Sequence, residues 1–414
     1  MAVISSMLEQ HAEEASFLML LRDQAVHAPH YDLADLGQLD ERLAAHLDGL
    51  RLAPPSALQV LQAQLDNQAL GEMFASVLLA FETRDKPALT RLSEHARNAL
   101  PTRRGYLMAL GWLDWQQLAP WIEPLLGAAD PLFRCFGLAA CGMHRQDPGP
   151  ALLAELSRDE PLVLARAART AGELRRRDGL PLLAAQSQHQ DPAVAFWANW
   201  ACAQMGDERA LEPLRGFAEH AGAWQYPALC VLLAWQPREH SIAWVKQLLQ
   251  RPEHSRIGIQ AIGLLGDPFS VPWLIQQMSD LPLARVAGEA LSLITGVDLA
   301  QQALELQELP EFDAGPNDDP EDGNVLMDPD EHLPWPDPHR VAAWWQAHAG
   351  HLQEGVGHIL GRVQSAGAFQ QALLEGGQRQ RIAAAYGLAR WQPNAPLFPT
   401  SAPAWRQKAL LAAG

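Results

Sequence analysis

Three stretches of the chain repeat one pattern: DPLFRCFGLAACGM at residues 130–143, EPLVLARAARTAGEL at 160–174 and DPAVAFWANWACAQM at 191–205. Their prolines, at positions 131, 161 and 192, lie 30 and 31 residues apart. A second mark, an aspartate beside a glycine or proline, has the same spacing at Asp147, Asp178 and Asp207. It returns two periods later at Asp267, after one degenerate turn. Self-similarity at a fixed period of about 30 residues is typical of a solenoid built from stacked repeats.

Each period is predicted to form two short helices. The aspartate of an Asp-Pro pair can cap a helix, and proline is tolerated at the first helical position because no N–H is needed there. Within 193–205, Val194, Ala198 and Ala201 recur at helical spacing on one side, while Phe196 and Trp200 line the other. A helix that is apolar on both sides has to lie between neighbouring helices. The sequence therefore predicts an all-α fold, an α-solenoid (superhelix) of helix pairs with a period of about 30 residues.

These repeats resemble a known family. The order Asp-Pro, small and branched apolar residues, Gly-Asp and then ALEPL (210–214) or SVPWL (270–274) is similar to that of the HEAT-like repeats of phycobilin-lyase-type proteins. Proteins built from such repeats are protein-binding scaffolds far more often than enzymes. The resemblance therefore implies a protein partner.

Composition divides the chain into four predicted parts. Residues 1–55 form an N-terminal helical cap, and residues 56–300 form the HEAT-like repeat array. Residues 301–339 are rich in proline, glycine and acid, with ten carboxylates between Glu311 and Asp337, and are predicted to be a linker or surface loop. Residues 340–414 form a C-terminal helical unit.

A narrower resemblance covers most of the chain. It is carried by LDERLAAHLDGL (39–50), ALGW (109–112), HRQDPG (144–149), AWWQAH (343–348), GVGHILG (355–361) and RQRIAAAYGLA (379–389). Together these segments resemble a bacterial family of HEAT-like proteins that is associated with type VI secretion gene clusters. This resemblance implies an adaptor or chaperone that holds an effector or spike component of the secretion system.

Charge and hydropathy restrict the partners and the location. The formal net charge is −17, so the overall electrostatic field repels nucleic acid, and no nucleic-acid partner is expected. No apolar run approaches 18 residues, and the first 15 residues lack a basic region before an apolar one, which predicts neither a membrane span nor a secretory signal. We expect a cytoplasmic protein whose four cysteines are reduced and buried.

The search for chemistry gives no catalytic, cofactor or metal site. The acidic segment fails as an EF-hand: with Gly323 at the sixth position of the loop, the third is Pro320 and the twelfth is Pro329, where a glutamate belongs. His348, His351 and His358 have no carboxylate or cysteine at metal-ligand spacing. Nucleophile elbows, phosphate loops and dinucleotide fingerprints are absent from the sequence. The sequence favours a non-catalytic protein.

Three groups of residues are candidates for partner binding. Arginines 134, 166 and 169 (Arg134, Arg166, Arg169) follow the Asp-Pro turns on the helix that lines the inner face of HEAT-type arrays; the alternative is that they pair with acids of neighbouring repeats. Trp344 and Trp345 point about 100° apart on a helix, so one of them is free to serve as an anchor. The third group consists of carboxylates in the acidic segment, which is otherwise a solvated loop: Asp318, Asp319 and Asp322.

The leading functional hypothesis is an adaptor or chaperone for a type VI effector or spike component. An immunity protein that neutralises a cognate toxin is the first alternative, because an acidic inhibitor captures a basic toxin rapidly. A HEAT-like DNA-binding or DNA glycosylase-type enzyme is the second, and it requires a local basic groove despite the net charge.

Overall fold

The computed structural model describes residues 5–66, 68–312, 315 and 327–413 of the 414-residue chain. Almost all regular structure in this part is helical. The first half holds α1 (Ser5–Ala25), α2 (Leu33–Arg51), α3 (Pro54–Ala63), α4 (Leu70–Glu82), α5 (Lys86–Asn98), α6 (Leu100–Trp112), α7 (Trp115–Leu126), α8 (Pro131–His144), α9 (Pro150–Leu156), α10 (Pro161–Leu174), α11 (Leu180–Ala185) and α12 (Pro192–Gln204). The second half holds α13 (Leu211–Glu219), α14 (Gln225–Trp235), α15 (Arg238–Leu248), α16 (Ser255–Leu265), α17 (Val271–Gln277), α18 (Leu281–Thr295), α19 (Pro338–His348), β1 (His358–Ile359), β2 (Arg362–Val363), α20 (Ala366–Glu375), α21 (Gln378–Trp391) and α22 (Ala404–Ala413).

The chain forms two compact units. The first comprises described residues within 1–27, 33–205 and 394–414, and the second comprises those within 28–32 and 206–393. In the first unit, α4, α6, α8, α10 and α12 stack one on the next, and α5, α7, α9 and α11 cover them. In the second unit, α14, α16 and α18 stack in the same way, beside α13, α15 and α17. The predicted all-α solenoid of paired helices is confirmed.

The Asp-Pro pairs before α8 and α12 begin helices, as the sequence predicts. Asp130 Oδ1 accepts a hydrogen bond from the backbone N–H of Leu132 (3.0 Å), and Asp191 Oδ1 accepts one from Ala193 (2.8 Å). Prolines occupy the first turns of α8, α10 and α12. Glu160, which replaces the aspartate before α10, does not cap its helix; its carboxylate pairs with Arg134 instead. The four cysteines are free and buried, as expected.

The first helix of a repeat is buried around its whole circumference. Eleven of the thirteen residues of α4 are buried, including Ser76 and Gly71. Glycines permit this packing where helices cross. A Cβ atom at Gly71 would lie closer than 3 Å to the backbone of Ser16 in α1, and one at Gly105 would overlap Leu70 O of α4. The crossings of α1, α4 and α6 therefore depend on backbones that approach without intervening side chains.

The last residues of the chain return to the first unit. The buried Arg22–Asp40 ion pair (2.5 Å) holds them, because Asp40 Oδ2 also accepts a hydrogen bond from the Ala404 N–H (2.6 Å). Leu397 N–H donates to Glu173 O at the end of α10 (2.9 Å), and the Arg406 guanidinium donates to Gly111 O (2.9 Å) at the end of α6. The tail thus crosses the C-terminal ends of successive first helices, where carbonyls lack partners within the helix.

The second unit uses a hairpin in the same way. Strands β1 and β2 pair antiparallel, with His358 opposite Val363. The His358 N–H donates to Gly266 O at the end of α16 (2.8 Å), and the Leu360 N–H donates to Leu293 O in the last turn of α18 (2.7 Å). In both units, then, a late segment of the chain satisfies carbonyls at the ends of the stacked helices.

Replacement of Gly71 by alanine is expected to lower the free energy of unfolding by about 1–3 kcal/mol, because the new methyl group meets backbone that cannot move aside cheaply. Urea unfolding followed by circular dichroism at 222 nm measures the change. Gly216→Ala is the matched control: it is also a helical glycine, but a Cβ there meets nothing within 4 Å, so the variant should gain up to about 1 kcal/mol. Equal stability of the two variants would contradict the close crossing of α1 and α4.

Candidate protein-binding site

Arg134, predicted to face a partner, is buried in the first unit and only 4% exposed. Its guanidinium lies 3.1 Å from Glu155 Oε1, pairs with Glu160, and donates to Ala129 O at 2.9 Å. Glu155 belongs to α9 and Glu160 precedes α10, so the arginine connects its own repeat to the next one. This is the pairing with acids of neighbouring repeats that the sequence left open.

Arg166 and Arg169 converge on Glu173, one to two turns further along α10. Arg166 pairs with Glu173 and donates to Thr170 Oγ1 (3.0 Å), while Arg169 Nε lies 3.0 Å from Glu173 Oε1. Arg169 remains partly exposed, with its guanidinium 4.6 Å from the centre of the Trp197 ring. Burial opposes ionisation of Glu173, but Arg166, Arg169 and Arg145 outweigh it and lower the pKa of the carboxyl to about 2.

The two adjacent tryptophans of α19 differ in accessibility. Trp345 is buried, whereas Trp344 is half-buried and stacks on His348 with ring centroids 4.5 Å apart. Trp344 is therefore the one of the pair that can contact a partner. The predicted carboxylates Asp318, Asp319 and Asp322 lie outside the described residues.

The flanks of the acidic segment carry a charge network that the sequence did not indicate. Asp330 is 2% exposed and accepts a bidentate pair from Arg256 (2.5 and 2.8 Å) and a further contact from Arg379 (3.1 Å). Arg379 also lies 2.9 Å from Glu289 of α18, and burial raises the pKa of that carboxyl. The network ties residues 328–330 to α16, α18 and α21 of the second unit. Within it, the buried carboxylates of Asp330 and Glu289 are paired with Arg256 and Arg379.

Among the described residues, no group of three or more His, Cys, Asp and Glu side chains is arranged to hold a metal ion. Nor does any helix in this part of the chain combine the length and apolar character needed to cross a membrane.

The first unit has a cleft of about 1000 Å³. We call it the tryptophan cleft. It lies between α2, α4, the α6–α7 junction, the end of α8 and α22, beside the tail that crosses the ends of the stacked helices. Its principal lining residues are Trp112, Trp115, Met143, His144, Trp405 and Leu410.

Three tryptophans lie in the walls of the tryptophan cleft, together with polar residues such as Arg51 and Glu82. Trp112 is buried and meets Trp405 edge to face, with ring centroids 4.6 Å apart. Trp405 is 47% exposed, and Leu410, further along α22, is also exposed. Trp115 lies 5.3 Å from the His144 ring. Trp and Met are enriched in the centres of protein interfaces, where tryptophan supplies a large share of binding energy.

Two polar residues of the tryptophan cleft, His144 and Arg406, are already hydrogen-bonded within the first unit. His144 is 8% exposed, and Nε2 donates a hydrogen bond to Leu110 O (2.8 Å). Burial, helped by nearby Arg406, lowers the pKa of His144 to about 4, so the ring is uncharged at neutral pH. Arg406 is bound to Gly111 O and Leu113 O, and burial lowers its pKa to about 10. The cleft is thus suited to apolar and aromatic side chains of a polypeptide.

Sequence reasoning missed this cleft because its parts are far apart in the chain. Trp112 and Trp115 belong to the predicted repeat array (56–300), but nothing local indicated that Trp405, about 290 positions later, would lie against Trp112. One part of the cleft could be predicted: the apolar pattern of residues 403–413 indicates a helix. It does not indicate which part of the chain that helix packs against.

Residues 149–226 match the family model for HEAT repeats. The match begins just before α9 and extends past α13, so it includes helices of both units. No curated protein matches the chain. The prediction of HEAT-like repeats is confirmed, and protein partners are the usual ligands of such repeats; the association with type VI secretion stays a prediction.

The free-energy contribution of Glu173 should depend on pH. Its folded pKa of about 2 lies below the ordinary value of 4.5, so its stabilisation is complete above pH 4.5 and is lost as the pH falls towards 2. The stability difference between the wild type and Glu173→Gln should therefore narrow by roughly 3 kcal/mol over that range. Urea midpoints between pH 6 and the acid limit of folding measure it.

Glu94→Gln is the control for the Glu173 prediction. Glu94 is a 64% exposed carboxylate paired with Arg97, so its replacement should change stability by less than about 1 kcal/mol at every pH. If the stability difference between the wild type and Glu173→Gln does not change with pH, the arginine cluster does not act on this carboxyl as described.

Proposed function

We propose that the protein is a non-catalytic binding scaffold whose tryptophan cleft holds a segment of a partner protein. The observation that carries this proposal is the pair of accessible rings, Trp405 and Trp115, in a cleft of about 1000 Å³ beside stacked HEAT-type helices. A cleft of that size exceeds what most small-molecule sites need and suits several side chains of a polypeptide. The buried acids and arginines of the first unit support the proposal, because they pair with one another and leave the aromatic surface to make contacts.

The partner is proposed to be an effector or spike component of a type VI secretion system, held in the cytoplasm by this protein as an adaptor or chaperone. The support is the resemblance of segments such as LDERLAAHLDGL (39–50) and RQRIAAAYGLA (379–389) to the family associated with those gene clusters. An adaptor of this kind needs an extended binding surface, which a repeat array provides. It does not need catalytic residues.

One observation favours a second function. The net charge of −17 suits an immunity protein that captures a basic toxin, because complementary charge accelerates association. Gene order separates the two hypotheses: a toxin gene next to this gene favours immunity, whereas a spike gene followed by an effector gene favours the adaptor.

The test is affinity capture from the native bacterium with the tagged wild type and with the double variant Trp115→Ala/Trp405→Ala. Mass spectrometry should identify a spike or effector protein with the wild type, and the double variant should recover at least about tenfold less, since each lost tryptophan removes a large anchor. Thermal unfolding of the variant confirms that it is folded.

Phe269→Ala is the matched control, because Phe269 is a 72% exposed aromatic outside the cleft, and it should leave recovery unchanged. If no secretion component is captured by the wild type, the adaptor proposal is wrong. If the partner is captured equally by the double variant, the binding surface lies elsewhere.

A further inference from the structure

The second unit contains a separate pocket of about 430 Å³, which we call the hairpin pocket. Its walls come from the ends of α14 and α16, from the chain around β1, and from α20 and α21. The main-chain hydrogen bonds of the hairpin go to α16 and α18, while Leu233 and Ala234 at the end of α14 line the pocket. The pocket is thus the place where the hairpin leaves the ends of the stacked helices open to a ligand.

Part of the wall of the hairpin pocket is apolar and closely fitted. Leu264, Phe369 and Ala383 contribute side chains to it. A Cβ atom at Gly387 would overlap the Phe369 ring, so this glycine allows the ring to pack directly on α21. Burial raises the pKa of the Cys230 thiol to about 12, which leaves it uncharged at neutral pH. These walls favour an apolar ligand body.

The interior of the hairpin pocket offers hydrogen-bond acceptors. His358 is 2% exposed, and its Nδ1 lies 2.9 Å from Val356 O. Because a carbonyl can only accept, Nδ1 carries a proton, and in the neutral ring Nε2 is then an acceptor. Among the described residues, none hydrogen-bonds to Nε2. The C-terminal ends of α14 and α16, which carry the negative ends of the helix dipoles, also line the pocket. The carbonyls at the end of α16, Leu265 O and Gly266 O, already accept hydrogen bonds from Arg238 and His358. The interior therefore suits an N–H or O–H donor and disfavours an anion.

The mouth of the hairpin pocket has the opposite character. Arg390 is exposed in the last turn of α21, and within the described part of the chain it has no ion pair. Arg238, the other arginine of the lining, already pairs with Asp267 (2.7 Å) and donates to Leu265 O (2.9 Å). Trp391, beside Arg390, is 54% exposed. The mouth of the hairpin pocket therefore has one arginine that forms no ion pair with a described residue, Arg390, and one exposed ring, Trp391. The protein as a whole carries a strong negative net charge.

From this arrangement we infer that the hairpin pocket binds an anchor side chain of a partner polypeptide, an aromatic residue with an N–H or O–H donor, next to a carboxylate. The ring enters between Phe369 and Leu264, its donor reaches His358, and the carboxylate pairs with Arg390. The inference rests on the proposed function, since it gives the scaffold a second contact for its protein partner.

A small probe that carries the ring, the N–H donor and the carboxylate is N-acetyl-tryptophan, and its neutral counterpart is N-acetyl-tryptophan amide. Ligand-observed NMR titration of the full-length protein should give a dissociation constant of about 1 mM for the acid, as expected for so small a ligand. The amide should bind about tenfold more weakly. Arg390→Gln should weaken the acid about tenfold and leave the amide unchanged, because only the acid uses the guanidinium.

Arg209→Gln is the matched control, since Arg209 is an 83% exposed arginine of the same unit outside the pocket, and it should change neither affinity. Ala383→Leu, which adds volume to the pocket wall, should abolish binding of both probes. Equal affinity of acid and amide, or binding that survives Ala383→Leu, would overturn the assignment. Decanoate binding more tightly than the aromatic acid would show a fatty-acid site in place of a peptide site.

Capture of the partner with Arg390→Glu separates this inference from the proposed function. If the partner is recovered by the wild type and equally by Arg390→Glu, the scaffold stands and the hairpin pocket is not part of its interface. If no partner is recovered but N-acetyl-tryptophan binds as described, the pocket stands and the scaffold proposal fails.

Discussion

The structure depends on helices that have no polar side to present to water. In α12, ten of thirteen residues are buried, among them Phe196, Ala198 and Trp200, which point in different directions around the axis. Such a helix is stable only between neighbours on both sides, so each repeat requires the next, and stability is shared along each unit. The glycines at the crossings of α1, α4 and α6 serve the same requirement, since they let backbones approach where side chains would hold them apart.

Stacked helices create a second requirement at their ends. The last carbonyls of each helix have no partner within the helix, and stacking gathers them along one edge of the array. In the first unit the tail from residue 394 covers this edge with Leu397 and Arg406, and in the second unit the hairpin covers it with His358 and Leu360. The tryptophan cleft and the hairpin pocket both lie next to these covering segments. The helix ends that bind the chain's own segments therefore also lie beside the space that a segment of a partner protein could fill.

The repeat architecture could be predicted from sequence because its causes are local. The Asp-Pro pairs before α8 and α12 cap those helices through contacts with residues two positions away, and the period of about 30 residues is visible without any knowledge of contacts. The candidate site residues could not be placed in the same way. Whether Arg134 meets a partner or an acid depends on Glu155 and Glu160, which come near it only after α9 folds back. The Asp330 network and the Trp112–Trp405 contact join residues even further apart, so no local pattern could indicate them.

The distribution of charge and aromatic surface supports the proposal that this protein is a binding scaffold. Catalytic acids and bases generally have pKa values shifted towards neutrality. Here the pKa of Glu173 is moved away from it, to about 2, and that of His144 to about 4, each by surroundings that fix one charge state. Both groups are thereby held in one charge state at neutral pH, which suits a structural role. The tryptophans divide into a buried group and a half-exposed group. Trp200 and Trp112 are buried as core residues, yet Trp405 and Trp391 remain about half exposed, at the tryptophan cleft and at the hairpin pocket. Large rings left in water beside concave surfaces cost free energy that a partner can recover by covering them, and this is the property that a scaffold needs.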